Sequence, residues 1–536
     1  MFGRNNSSDY SRLANNSNPS QSEIQDYLVV RHERRSLYPR AALVGLIAGT
    51  IVLAFRAALT GAESLRNELI SWAHNSPDYG WMFPVLFVAL GTIVSVSLTR
   101  RFSPEAAGSG IPYLKAVLHR FRDVKWKSLL PVKFFGGIIA LGCGLALGRE
   151  GPSVQIGGVV GDAVARQLKV SDKERHTLIS SGAGAGLAAA FNTPLAGFLF
   201  VLEELRRDFQ PVVFGAALVS AVVANIVARI GSGQFPLFTI PSYDVPELTS
   251  LPLFALLGLV AGLLGIVFNR SILLGIRLYS RIPKHLAIVP IALTGGLVGL
   301  VGWFYPSLIG GGHELTETAL KGELLLAVIP LFFIIRLILT SASYGTGAPG
   351  GIFMPLLALG SLVGLAFGQI AHNYAPGLVI DPAIFAVVGM AAYFTAVVRA
   401  PLTGVVLIVE MTGNYSLMLP LLLSCFFAYA ITELLKDKPI YEALFERDVM
   451  KLNGNAPLRK PTVVEYVIED GAPFDGKEIR QLGLPKGCII VGCALGDNEF
   501  VPDGHTRLET HMRITTAISP DAHGAVDMLR RGCGIA

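Results

Sequence analysis

Long stretches without acidic or basic side chains set the tightest limit on how this chain can fold. Trp81–Thr99, Thr177–Leu202, Leu251–Phe268, Leu286–Phe304 and Gly351–Ile380 contain no Asp, Glu, Lys or Arg. Several reach the ~20 residues a helix needs to cross a bilayer. Only 15% of the 536 residues are charged and 52% are hydrophobic, whereas a soluble domain carries about 25% charge. The expectation is an all-α polytopic, multi-pass membrane protein. Gly and Pro interrupt many of the runs. Irregular backbone survives at membrane depth only where protein buries it or water fills a cavity, so some helices should be broken, short or re-entrant.

The net charge of +5 is unevenly placed. Arg31, Arg34, Arg35 and Arg40 precede the first apolar run, Arg100 and Arg101 follow the second, and His119–Lys127 is basic. This bias puts the N-terminus and these loops in the cytoplasm. No basic patch interleaves with aromatics on a soluble element, which argues against nucleic acid as a partner. The five Cys form no CxxC pair and have no His at ligand spacing, so neither disulfides nor a metal is expected; no cofactor is expected either.

Gly148-Arg149-Glu150-Gly151-Pro152 places a carboxylate between an apolar run and a helix-like run, Ser153–Gln167. A charge at membrane depth is expensive and marks a functional site by default. The flanking glycines let backbone approach a ligand, and a helix start offers free N–H groups to an anion. A proton and an anion could therefore compete for one place. The bland alternative is a Glu that caps the helix or pairs with Arg149.

The second half repeats the pattern. Gly351-Ile352-Phe353-Met354-Pro355 has the same Gly-to-Pro spacing, and in both halves further glycines stand five and nine residues beyond the Pro: Gly157 and Gly161, Gly360 and Gly364. Pro194 and Pro401 each precede a Glu by nine residues, Glu203 and Glu410. Paired Gly/Pro-interrupted segments in two halves point to a transporter's substrate site. The repeat matches Glu203 with Glu410, whereas Glu204 corresponds to Met411. Adjacent helical residues point about 100° apart, so Glu203 reads as structural and Glu204 as the one free for chemistry; its alternative is an ion pair with Arg206, Arg207 or another cytoplasmic charge.

Gly108-Ser109-Gly110-Ile111-Pro112, the 148–152 stretch and the 351–355 stretch together resemble, in order, the three anion-site signatures of the chloride channel/transporter (CLC) family. Lys438-Pro439-Ile440-Tyr441 resembles the segment carrying that family's pore tyrosine. The resemblance covers roughly residues 35 to 450 and implies an inverted-repeat fold, a homodimer and transport without enzymatic activity. It further implies that Ser109, Gly110, Ile352, Phe353 and Tyr441 bind chloride, that Glu150 is a gating glutamate and that Glu204 accepts protons near the cytoplasm. Gly108, Pro112, Gly148, Arg149, Gly151, Pro152, Gly351 and Pro355 support these motifs. Read without it, Ser109 would be a helix N-cap and Tyr441 an interfacial anchor. Having both Glu150 and Glu204 favours proton-coupled chloride antiport over a voltage- or ligand-gated chloride channel.

The resulting organisation is a disordered cytoplasmic tail (1–35, not a cleaved signal), a transmembrane domain (36–450, halves about 36–235 and 250–450), a cytoplasmic α+β domain (461–520) and a C-terminal tail (521–536). In the α+β domain, strands are expected at Thr462–Glu469, Gly487–Leu495, Glu499–Pro502 and Arg513–Ile518, with a helix at Asp475–Leu482. Gly476-Lys477, Leu484-Pro485 and Val501–Thr506 resemble the TrkA-C subdomain of potassium-conductance regulators, which implies a small-molecule ligand; Glu509-Thr510-His511 departs from that pattern. The setting implied is a bacterial inner membrane with both termini inside, and the partners are chloride, protons and lipid.

Overall fold

The computed structural model of the chain describes residues 19–452, 462–519, 522 and 524–534, apart from 77, 208–209, 234–235, 239, 242, 244–245, 380 and 496–497. It divides into two units, Met1–Asp448 and Val449–Ala536.

Among the described residues, the first unit is built from two runs of eight α-helices. The first run is α1 (Pro19–Ala73), α2 (Met82–Phe102), α3 (Ile111–Leu118), α4 (Trp126–Gly142), α5 (Glu150–Gln167), α6 (Asp172–Phe191), α7 (Pro194–Phe200, continued by a π turn over Val201–Arg206) and α8 (Pro211–Ser232). The second is α9 (Leu251–Arg281), α10 (Ile288–Phe304), α11 (His313–Leu320), α12 (Ile329–Gly345), α13 (Phe353–Tyr374), α14 (Ala383–Val398), α15 (Pro401–Thr412) and α16 (Met418–Leu434), followed by α17 (Ile440–Leu452). Five helical segments among the described residues are long and apolar enough to cross a membrane, and five more are apolar but shorter. Exposed Leu90, Leu293, Phe304 and Phe426 line the outside, where lipid replaces water.

Packing repeats with the helices. α5 packs on α6 as α13 packs on α14, and α1 on α8 as α9 on α16. Small residues allow it: a side chain on Gly157 would strike the backbone of Gly182, and one on Gly360 would meet Gly389 O at 2.7 Å. The two halves run in opposite senses at their junction. Glu203, past the end of α7, accepts the amides of Leu402 (3.0 Å) and Thr403 (2.7 Å) at the start of α15. Glu410, near the end of α15, accepts those of Leu195 (3.1 Å) and Ala196 (2.8 Å) at the start of α7. Each carboxylate thus satisfies orphan N–H groups at a helix start, where negative charge also suits the dipole.

Two buried cations also correspond. Lys133 on α4 donates to Ala106 O (2.9 Å) and Gly108 O (2.6 Å), and Arg336 on α12 donates to Leu308 O (2.9 Å) and Gly310 O (2.6 Å). Each brackets the glycine turn that opens a short helix, α3 or α11: Gly108 and Gly110 have φ of 66° and 83°, Gly310 and Gly312 of 64° and 89°. Side chains rarely adopt this left-handed backbone.

Three expectations are corrected here. The tail expected over 1–35 is helical from Pro19, because Glu23–Arg35 is rich in helix-forming residues and joins α1 without a break; residues 1–18 lie outside the described residues. The polar, glycine-rich stretch Pro306–Lys321 reads as a loop between apolar runs but contains α11, the second-half counterpart of α3. The helix expected at Asp475–Leu482 is a single 3₁₀ turn, Ile479–Gln481, closed by a Glu478/Gln481 capping box.

The second unit is a four-stranded antiparallel sheet of β1 (Thr462–Val467), β2 (Cys488–Leu495), β3 (Asn498–Phe500) and β4 (Arg513–Ile518) in the order β1-β4-β2-β3. Alternation builds it: Ile514, Thr516 and Ile518 are buried on one face of β4. The segment 521–536, expected as a tail, is corrected as well. Ala525–Gly532 forms α18, whose Ala525 and Leu529 join Phe474, Leu508 and Ile514 in the core. Phe474 N donates to Gly532 O and Glu469 N to Cys533 O, fastening its end to the segment that follows β1. A module this small needs that extra apolar surface.

Candidate functional site

The three glycine motifs converge through their backbones. Gly148 and Gly351 exchange N–H···O bonds of 2.7 Å in both directions, and Gly108 N donates to Ala348 O while Gly350 N donates to Gly108 O, both at 3.1 Å. A Cβ on Gly151 would lie 2.9 Å from Ser109 Cβ, and one on Gly351 would lie 2.9 Å from Gly151 N. Only glycine lets the starts of α3, α5 and α13 come this close.

Glu150 opens α5 and is 1% exposed, with Oε2 lacking a hydrogen-bond partner and Oε1 3.9 Å from Arg149 Nε. Its carboxylate lies against Gly148, where a Cβ would also meet Met354 N at 3.1 Å. The group therefore sits where α5 and α13 begin, beside N–H groups that point to any anion there. A buried acceptor left unpaired is costly, which marks a position held for something other than stability. Beside Glu150 a cavity of about 370 Å³ is lined by Arg66, Arg149, Gly310, Gly312, His313 and Met354, among others.

Ser109 is 1% exposed and its Oγ lies 3.4 Å from Ile111 N. The cap position of α3 is Gly110, not Ser109 as expected from residue type, because φ of 83° at Gly110 turns the chain into the helix. Ser109 N donates to Tyr344 Oη at 3.5 Å, a buried phenol the sequence reading did not single out. Ile352 and Phe353 are fully buried, and Phe353 is ringed by Phe394 (centroids 4.6 Å), Phe191 (5.6 Å) and Phe200 (6.3 Å). Tyr441, second residue of α17, is fully buried, and its Oη has no hydrogen-bond partner. It is in electrostatic reach of Tyr344, Glu204 and Glu150. A phenol donates a hydrogen bond to an anion without bringing charge.

Glu204 lies in the π turn after α7, a feature that recurs at functional sites. It is 1% exposed, and the charge that pairs with it is Lys115 on α3, whose Nζ reaches Oε1 at 2.6 Å. Lys115 was missed, although a lone Lys in a short apolar helix is itself a signal. Of the residues singled out, Ser109, Gly110, Glu150, Ile352 and Phe353 come together at the three helix starts, whereas Glu204 stands apart with Lys115.

Residues 90–433 match the family model described as voltage gated chloride channel, and residues 463–529 match the TrkA-C domain. An H(+)/Cl(-) exchange transporter ClcA of Vibrio parahaemolyticus is 44% identical over 413 residues, 76% of this chain and 88% of the relative. One from Klebsiella pneumoniae is 39% identical over 418 residues, 77% and 88% respectively. A slow cyanobacterial Cl−/H+ antiporter of known structure superposes with a TM-score of 0.75 at 35% identity, over 78% of this chain and 99% of that one. A eukaryotic CLC transporter follows with a TM-score of 0.67 at 25% identity, over 86% and 79%. With its helical repeat, converging glycine motifs and C-terminal α+β unit, this chain belongs to the voltage-gated chloride channel (CLC) family.

Proposed function

We propose that the protein exchanges chloride for protons across the membrane. The observation that carries this reading is the buried carboxylate of Glu150, unpaired at Oε2 where three helix starts converge. Chloride is held by amides near Gly110, Ile352 and Phe353 and by the hydroxyls of Ser109 and Tyr441. Ionised Glu150 occupies the outer anion position; on taking a proton it loses its attraction for those amides and leaves, opening the way outward. Glu204 takes protons from the cytoplasmic side. The exchangers among its relatives support this reading.

The working unit is a homodimer with one pathway per subunit, set in a bacterial inner membrane with both termini in the cytoplasm. Basic residues near the span ends support that orientation. The TrkA-C-like domain binds a small cytoplasmic ligand. Chloride and proton flux recorded together in proteoliposomes tests the exchange. Chloride flux with no proton movement would favour a channel.

A further inference from the structure

Lys115 and Glu204 are 2% and 1% exposed and lie 2.6 Å apart. A charge buried this deeply costs several kcal/mol unless it is paired, so whatever changes the charge of Glu204 must also provide for Lys115. A second carboxylate stands ready: Glu442 Oε2 is 3.5 Å from Lys115 Nζ. Glu442 follows Tyr441 on α17, its side chain is 21% exposed, and its other neighbour is Arg207 at 3.6 Å, itself 51% exposed. The charged groups acting on Glu204 are therefore Lys115 from α3, Arg207 from the end of its own segment and Glu442 from α17. Tyr441 lies within electrostatic reach of it. Two further titratable groups stand nearby: on α3, His119 Nδ1 meets Lys115 O, and on α6, His176 senses Arg206.

We propose that Lys115 is a positioning residue for proton uptake, its ammonium pairing with Glu204 while that carboxylate is ionised and with Glu442 once Glu204 has taken a proton. This rests on the reading of Glu204 as the inner proton acceptor. The step balances. A proton from cytoplasmic water adds to a Glu204 oxygen, and Lys115 keeps its three N–H bonds and moves. Arg207, which matched Glu442 beforehand, turns to solvent. Closing 3.5 Å to hydrogen-bond length is a shift of under about 1 Å, easy for an ammonium on a flexible stem. Neither charge is left buried and alone, and the transfer draws on the helix that carries Tyr441.

The test is proton flux relative to chloride flux, recorded at a series of internal pH values in proteoliposomes. Lys115→Met removes the partner of ionised Glu204, so the profile of proton flux moves to more alkaline pH by about one unit or more. Glu442→Gln leaves the ammonium nowhere to go when Glu204 is neutral, so the profile moves to more acid pH. Lys115→Arg keeps the wild-type profile, and Lys115→Gln serves where Lys115→Met does not fold. In the double variant the Glu442→Gln shift disappears, since no ammonium remains to be received. A shift of equal size with and without Lys115 means that Glu442 acts on Glu204 directly and overturns the transfer, as do single variants that move the profile in the same direction or not at all. Glu204→Gln is the control: loss of proton flux upholds the inner-acceptor reading, whereas retained proton flux overturns it and the transfer with it.

Discussion

Glu203 and Glu204 are neighbours in the chain with unlike surroundings. Glu203 accepts the Leu402 and Thr403 amides and the Thr403 hydroxyl at 2.7–3.0 Å, whereas Glu204 binds Lys115 at 2.6 Å. One carboxylate fastens the halves together and the other holds a buried cation.

Glu203→Gln keeps one acceptor oxygen and loses charge-assisted bonds, and is expected to cost about 1–3 kcal/mol. It should lower the unfolding temperature in detergent while proton flux per chloride stays at the wild-type value. Glu204→Gln should abolish proton flux with chloride flux retained. Identical behaviour of the two variants would contradict the division of labour.

Glu150→Gln mimics the protonated gate and Glu150→Ala deletes it. Both should pass chloride with proton movement lost. Chloride-driven proton pumping that survives in either variant would remove Glu150 from the gate.

Ser109→Pro removes the hydroxyl and the amide that meets Tyr344 Oη. With those two donors gone, the more strongly hydrated chloride loses more than nitrate does, so nitrate over chloride selectivity should rise, read from anion competition in flux assays. Unchanged selectivity would place Ser109 outside the central site.

Deleting residues 521–536 removes α18 and exposes Phe474, Leu508 and Ile514. Side chains of this size contribute about 1.5–3 kcal/mol each when buried, so the C-terminal domain should unfold while the helical unit stays folded. Protease sensitivity confined to residues beyond 452 is the expected readout, and wild-type resistance there would return α18 to the status of a tail.

Much of this was legible in the sequence because glycine and proline act locally. Gly148, Gly151 and Gly351 are required wherever helix starts crowd together, and the repeat of Glu203 in Glu410 follows from a shared junction. What stayed hidden depends on tertiary proximity. Lys115 and Glu204 are 89 positions apart, and nothing local pairs them. Tyr344 reaches Ser109 across 235 positions. The glycine-rich stretch 310–312 reads as loop, yet it turns the chain into α11 as Gly108 and Gly110 turn it into α3. Lys133 and Arg336 offered a signal that was not used, since they are spaced as Gly148 and Gly351 are. The helix α18 was missed because its eight residues gain stability from the core they cover rather than from propensity.

The central claim is coupled exchange. Purified protein in liposomes, under a chloride gradient with no initial proton gradient, should drive protons opposite to the chloride flow and so build a proton gradient, and Glu150→Gln should stop the protons while chloride continues. Chloride flux with no proton movement in the wild-type protein would contradict the account.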